Sequence, residues 1–344
     1  MKPGLRVLAP GFHTTVQDLG RPGYQAIGIP LSGALDNLSL QLANALVGNQ
    51  PGLPALEILL TGPELEIAAD TARVAVAGPG AGLATEFALS LTAPAGHSIR
   101  LSRGDVCKII AGRQSACCYL AVEGGIAVPP VLGSTSTYVR GGMGGIEGRA
   151  LRRGDFLPLA IDRASPRPDL RLPLSMPPTG DQPIRVVLGP QQEYFTEAAV
   201  AALLAGEFRV SQNSDRMGMR LDGPLLRHRQ GWDIVSDAIA TGAIQVPGSG
   251  QPIVLLADHQ TTGGYPKIAT VVSADIPVIG RRWPGDPLRF AAITVETAEA
   301  LCREEARRLA DLVAALEPVP ERRGIDLASL YGENLVSGVV SGIE

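Results

Sequence analysis

Apolar positions along the chain fall into short runs rather than long stripes. "ALEILL", "ELEIAA", "ARVAVAG", "HSIRLS", "VCKIIAG" and "CCYLAVEGG" each hold a few Val, Ile, Leu or Ala residues bounded by Gly, Pro or Asp. That spacing predicts short strands joined by tight turns, as in sandwiches and barrels. Three segments carry a helical period instead. In 33–47, "GALDNLSLQLANALV", apolar residues recur at 35, 38, 42 and 46. Ser32 stands where an N-cap would, and "GN" at 48–49 offers a left-handed stop. A second helix is predicted over 192–204, ending at Gly206, and a third over 296–316, where an acidic first turn suits the helix dipole. The expected class is mainly β, a β-rich α+β chain with a few peripheral helices.

Residues 158–183 contain seven prolines and little periodicity. They place a linker at 161–183, between a strand-rich half at 1–160 and a second half at 184–344. "LSRGDV" (101–106), "LRRGDF" (151–156) and "WPGDPLRF" (283–290) each set Gly-Asp before an apolar run. They read as repeated turn-to-strand corners, not as adhesion motifs.

A length of 344 residues allows about two domains and more than one core, and 45% apolar residues make the chain globular. A net charge of −4 gives no support for nucleic acid or an anionic membrane as partner. The N-terminus lacks an apolar signal core, and no run approaches the roughly 18 apolar residues of a membrane span. The cytoplasm is the expected compartment. Cys107, Cys117, Cys118 and Cys302 lack zinc or redox spacing and read as small buried residues. Cys117 and Cys118, adjacent on one strand, are expected on opposite faces.

No phosphate loop, HExxH or GxSxG is present, and "GGMGGIEG" (141–148) lacks the strand and helix of a dinucleotide fingerprint. Four polar, glycine-bearing blocks are set in apolar surroundings: "GFHTTVQDLGRPGYQ" (11–25), "GSTSTYVRGGMGG" (133–145), "NSDRMGMRLDG" (213–223) and "TGAIQVPGSGQPIVLLADHQTTGGYPK" (241–267). Glycine lets main-chain N–H groups approach a ligand. Thr, Gln and Asp can grip an amide-like or urea-like N–C=O from both its donor and acceptor sides. Lys or Arg can stabilise an oxyanion or phosphate. Each block also has an ordinary reading as turn chemistry, and Asp215, Arg216 and Arg220 as a surface ion-pair cluster. The exception is "DHQTTGGYPK", which lies between the apolar runs "PIVLLA" and "IATVV", where polar groups must be paired or useful. Only three of the chain's 30 basic residues are lysines, and Lys267 is one.

"TTVQDLGRPGYQ", "GIPLSGALDNLSLQLANALVGN", "LEILLTGPELE", "GSTSTY", "SDRMGMRLDGP", "GAIQVPGSGQPIVLLADHQTTGGYPKIATV" and "NLVSGVV" together resemble the allophanate hydrolase subunit 2 family. That family is also called KipA-like, or the C-type subunit of bacterial 5-oxoprolinase, and the resemblance runs in order from about residue 4 to 340. It implies a cyclophilin-like β-barrel architecture and a partner, the KipI-like allophanate hydrolase subunit 1 protein. It further implies one of three roles. With a LamB/YcsF-like subunit, the pair forms an ATP-dependent 5-oxoprolinase that opens the lactam of 5-oxoproline to L-glutamate. Alternatively, it is the carboxyltransferase part of a biotin-dependent urea carboxylase, where biotin would enter. The third role is a regulator that binds a KipI-like kinase inhibitor.

With no biotin-carrier or ATP-grasp segment in the chain, the first role is the expected one, with ATP used by the complex. Lys267 and Arg216 are the candidates for charge stabilisation, and Asp258 completes the catalytic set. Gln260, Thr261, Thr262, Gly263, Tyr265 and Gln245 are candidates for binding a small amide substrate, with Asp18, Arg21 and Gln17 from the N-terminal block. His259 is either a proton carrier near neutral pH or a solvent-facing residue. His259 after Asp258, Asp237 in "SDAIATG" and the basic "IGRRWPGD" depart from the family's usual pattern.

Overall fold

The computed structural model of the chain describes residues 2–85, 92–173, 180 and 182–320. Two sheets are built mainly from the N-terminal half. One has six strands, in the order Phe156–Pro158, Gly4–Ala9, Glu64–Ile67, Val106–Ile110, Gly82–Thr85 and Thr92–Pro94. The other has seven: His13–Gln17, Ala55–Leu59, Cys117–Val122, Thr71–Ala77, His97–Ser102, Leu170–Arg171 and Glu317–Pro318. Between them lies a core in which Leu5, Val7, Leu65 and Ile67 meet Leu56, Ile58, Val74, Val76, Cys118 and Leu120. The far face of the seven-stranded sheet carries the small residues Ala55, Ala75, Ala77, Cys117 and Ala121. Helix α1 (Asn37–Leu46) covers it with Leu40, Leu42, Ala43 and Leu46. Each of those leucines contributes about 2 kcal/mol by leaving water.

Covered on both faces, the Cys117–Val122 strand buries all six residues, so its sequence runs apolar without alternation. Cys117 and Cys118 do face opposite cores. Burial pushes the thiols of Cys107 and Cys118 up to about 12, which makes them inert packing groups.

Helix α1 starts later than its period suggests, because its cap is Asp36 and not Ser32. The Asp36 carboxylate accepts from the Ser39 amide (3.0 Å) and hydroxyl (2.5 Å). Ser32 sits at φ 54° and uses its hydroxyl elsewhere. The second predicted helix begins as a 3-10 turn at Gln192–Tyr194. It continues as α2 (Glu197–Ala205) under a Thr196 cap. A short α3 spans Ile276–Gly280, and α4 (Val295–Ala314), capped by Thr294, matches the third predicted helix.

The second half forms an eight-stranded sheet. Its order is Pro287–Leu288, Phe208–Val210, Gly218–Asp222, Ile253–Leu255, Ala243–Gln245, Lys267–Val271, Ile184–Leu188 and Phe290–Ala292. The two edge strands are consecutive in the chain, separated only by Arg289, so the sheet curls into a nearly closed barrel. Phe208, Leu221, Ile244, Val254, Ile268 and Phe290 fill it. The mainly β class with few helices is what the strand spacing predicted.

In the proline-rich segment, Leu170–Arg171 pairs into the seven-stranded sheet, and Glu317–Pro318 returns after α4 to pair with it. Buried Arg73 ties the same segment down, donating to Asp169 (2.7 Å) and Glu123 (2.6 Å). "NLVSGVV" lies outside the described residues.

The Gly-Asp corners share one geometry. Asp105, Asp155 and Asp286 each accept from the amide three residues earlier, at 2.7, 2.7 and 2.8 Å. Gly104, Gly154 and Gly285 precede them at φ 88°, 89° and 93°, a conformation that favours glycine even though nothing crowds those positions.

Candidate functional site at the seam of the two halves

A buried ion cluster joins the seven-stranded sheet to the barrel. Arg216, two residues before the Gly218–Asp222 strand of the barrel, donates from Nε to Asp258 Oδ2 (2.9 Å), from Nη2 to the Gly33 carbonyl (2.6 Å) and from Nη1 to Glu57 Oε1. Glu57 comes from the Ala55–Leu59 strand and also accepts from the Tyr119 hydroxyl (2.5 Å) and the Leu35 amide (2.9 Å). Ser32 donates its hydroxyl to Asp258 Oδ1 at 2.7 Å. Burial alone would lower the Arg216 pKa, but the facing carboxylates of Glu57 and Asp258 raise it above the ordinary guanidinium value. Arg216 is therefore a buried cation matched by two carboxylates and not part of a surface cluster. Asp215 instead caps its own turn by accepting from the Met217 amide (2.8 Å). Sequence reasoning misses Glu57 as a partner, although a lone carboxylate inside "ALEILL" is the sort of residue that must be paired when buried.

A cavity of about 400 Å³ opens against this cluster. Phe12 and His13 line it from the first polar block, Val139 and Arg140 from the second, Ser214–Met217 from the third and Asp258 from the fourth. All four blocks thus meet at one place. Arg140 spans two of them, with Nη1 2.8 Å from Met217 Sδ.

Beside the seam, Asp18 is held by a serine–threonine clasp. Its carboxylate accepts from the hydroxyls of Ser134 (2.6 Å), Ser136 (2.5 Å) and Thr135 (2.9 Å) and from the amides of Gly20 (2.8 Å) and Thr135 (2.6 Å). Burial would raise this carboxyl, yet those donors take it below the usual carboxylate range. Arg21, fully buried, donates to the Ser136 carbonyl, and Gln17 donates to the Thr137 carbonyl at 3.1 Å. The Asp18 carboxylate is fully engaged by its own neighbours, and all three residues brace "GSTST", although Gln17 Oε1 and Arg21 Nη1 are buried without a partner among the described residues.

The lowered Asp18 pKa means that its stabilisation is present above the ordinary carboxylate value and is lost as pH falls through the lower folded value. Asp18→Asn should cost about 2 kcal/mol at neutral pH and flatten the acid limb of stability, as read by urea unfolding across pH.

The remaining predicted residues gather on the barrel side of the "DHQTTGGYPK" loop. Lys267 is buried, and its ammonium reaches Asp237 Oδ2 at 3.1 Å, on an exposed arm of the chain. Gln191 donates to the same oxygen (3.1 Å) and accepts from the Lys267 amide (3.1 Å). Neighbouring Gln245 accepts from Gln260 Nε2 at 3.3 Å, while its own Nε2 is buried with no partner among the described residues. Thr262–Gly263 pairs with Asp237–Ala238, and Ile239 donates its amide to the Thr261 carbonyl. A Cβ at Gly263 would meet the side-chain ends Gln245 Nε2 at 2.7 Å and Ile239 Cδ1 at 2.8 Å, so a larger residue there would push them aside. Half-exposed Tyr265 leans on Trp232, ring centroids 6.2 Å apart.

His259 is fully buried, not solvent-facing. Nδ1 lies 2.6 Å from the Gln260 carbonyl and Nε2 3.1 Å from the Thr241 hydroxyl. Burial lowers its pKa, and a carbonyl facing Nδ1 requires that nitrogen to donate, so Nε2 of the neutral ring accepts. The loop is thus one continuous strip. Asp258 faces the seam, His259 locks the turn, and Gln260 to Lys267 face the barrel.

The sequence pattern of the carboxyltransferase domain, subdomain A and B, matches residues 27–292. The chain belongs to that family. It is 36% identical to the C-type subunit of 5-oxoprolinase from Escherichia coli K12 over 303 residues, covering 88% of this chain and 96% of that one. Urea amidolyase of Saccharomyces cerevisiae is 32% identical over 318 residues, 86% of this chain but 17% of that protein. The crystal structure of the Kluyveromyces lactis urea amidolyase superposes with a TM-score of 0.82 at 32% identity, over 91% of this chain and 20% of that one. This carboxyltransferase-family chain thus spans nearly all of one kind of relative and a fifth or less of the other. The kinship read from the motifs is confirmed. No helix among the described residues is long and apolar enough to cross a membrane.

Proposed function

We propose that this chain is the C-type subunit of an ATP-dependent 5-oxoprolinase and helps open the lactam of 5-oxoproline to L-glutamate. One observation carries the reading: four polar blocks distant in sequence line a single cavity at the seam. Support comes from the near end-to-end match with the 5-oxoprolinase subunit of Escherichia coli. A lactam is a planar N–C=O group, and the loop from Asp258 to Lys267 offers acceptors at one end and donors at the other. Asp258, fixed by Arg216 and Ser32, orients the amide at the seam. Lys267 and Gln245 lie outside the seam cavity, on the barrel side of the same loop, and hold that loop in place, Lys267 through Asp237 and Gln245 through Gln260.

The seam residues do not fit a nucleotide triphosphate. Arg216 is already matched by Glu57 and Asp258, which leaves Arg140 as the one cation on the cavity wall without a carboxylate partner among the described residues. ATP is therefore assigned to the KipI-like and LamB/YcsF-like subunits of the complex, and no step at the seam passes through it. The test is co-expression with those subunits, followed by an assay of ATP-dependent glutamate release from 5-oxoproline. Release that requires all three chains is the expected result. The likeness to urea amidolyase favours a second reading, carboxyl transfer to urea. Urea with a biotinylated carrier is the parallel arm, and turnover there without glutamate release would replace the first reading.

A further inference from the structure

We propose that His13 is the proton acceptor of the seam cavity, taking a proton from the water that attacks the lactam carbonyl. This rests on the lactam-opening reading above. His13 begins the His13–Gln17 strand and pairs with Leu59, which places it diagonally across from Glu57 on the same sheet face. It lines the cavity beside Arg216 and Asp258, and its Nδ1 is buried with no hydrogen-bond partner among the described residues. A buried ring nitrogen left unpaired costs free energy, which a ligand or ordered water entering the cavity would recover. The other histidine of the polar blocks, His259, has both ring nitrogens engaged and cannot serve.

The charged groups around the ring leave it a base. Burial lowers the His13 pKa, and Arg216 lowers it further, against the opposing pull of Glu57 and Asp258. Asp215 and Arg140 complete the charged lining of the cavity. The neutral imidazole at pH 7 has a lone pair to offer. In the step assigned to it, the water oxygen bonds to the carbonyl carbon as its proton passes to the imidazole. The C–N bond then breaks, its electron pair goes to the ring nitrogen of the lactam, and that nitrogen takes the proton back from the imidazolium. Water has been added across the amide and His13 is neutral again.

The experiment uses the three-chain complex with His13→Gln, which keeps size and polarity but cannot carry the proton. The kcat for glutamate release should fall about 10²-fold or more with KM near the parent value, and the acid limb of the pH–rate profile should vanish. A kcat within twofold of the parent, with that limb intact, overturns the proposal. NMR of histidine-labelled parent complex gives a reading independent of variant folding. The His13 ring should be neutral at pH 7 and shift when 5-oxoproline is added; a protonated ring, or one blind to 5-oxoproline, also overturns it. A parent complex that releases no glutamate would sink the lactam reading itself, whereas an active parent beside an equally active variant sinks only the role of His13.

Discussion

Arg216→Met should destabilise the chain by about 3–5 kcal/mol, because it strands two buried carboxylates without their cation. Glu57 comes from the seven-stranded sheet and Asp258 from the barrel, and Arg216 contacts both. Losing it leaves like charges facing each other where water cannot screen them. Against a typical total of about 5–15 kcal/mol, that is a large share. Urea unfolding at neutral pH measures it. Adding Glu57→Gln and Asp258→Asn to Arg216→Met should return more than half of the loss, since the cost lies in the uncompensated charge and not in missing contacts. A single-variant loss below about 1 kcal/mol would show that the cluster is wetter and looser than its geometry implies.

Lys267→Met in the assembled complex should reduce kcat for glutamate release about 10²-fold, because Lys267 anchors the far end of the loop that carries Asp258 into the seam cavity. The substitution keeps an unbranched stem along the barrel wall, so folding should change little. Lys267 meets its carboxylate partner only through exposed Asp237, and losing a half-exposed pair has a small stability cost. Kinetics and unfolding together separate the two roles. A large fall in kcat with an unchanged urea midpoint assigns Lys267 to positioning the loop for the reaction. An unchanged kcat would reduce it to a structural lysine and leave the seam cavity to act alone.

The opposite expected signatures of these two cations trace back to what each faces. In the sequence, Arg216 and Lys267 look alike, each a basic residue in a polar, glycine-bearing block. Nothing local shows that Glu57, 159 positions away, accepts from Arg216, because pairing across the seam depends on how two sheets dock. The only hint is a carboxylate amid apolar neighbours. Asp18 misleads for a related reason. A turn aspartate next to Arg21 suggests ligand binding, but "GSTST" folds back from more than 110 residues away and supplies four of the carboxylate's five donors, the Gly20 amide being the fifth. His13 is one residue among many in its block, and only the cavity sets it apart.

What the sequence determined by itself are the properties that act over a few residues. Strand length and turn position follow from short apolar runs broken by Gly, Pro and Asp. The thrice-repeated Gly-Asp corner follows from a left-handed glycine and an aspartate that caps its own turn. The long helix follows from its period and its Thr294 cap. Kinship was also legible, because long motifs in a fixed order survive substitution. The tertiary structure alone decided which polar groups are spent on holding the fold and which remain for a ligand. A hydrogen-bonding group is committed or available according to its neighbours in space, and in a chain rich in sheet those neighbours come from distant strands.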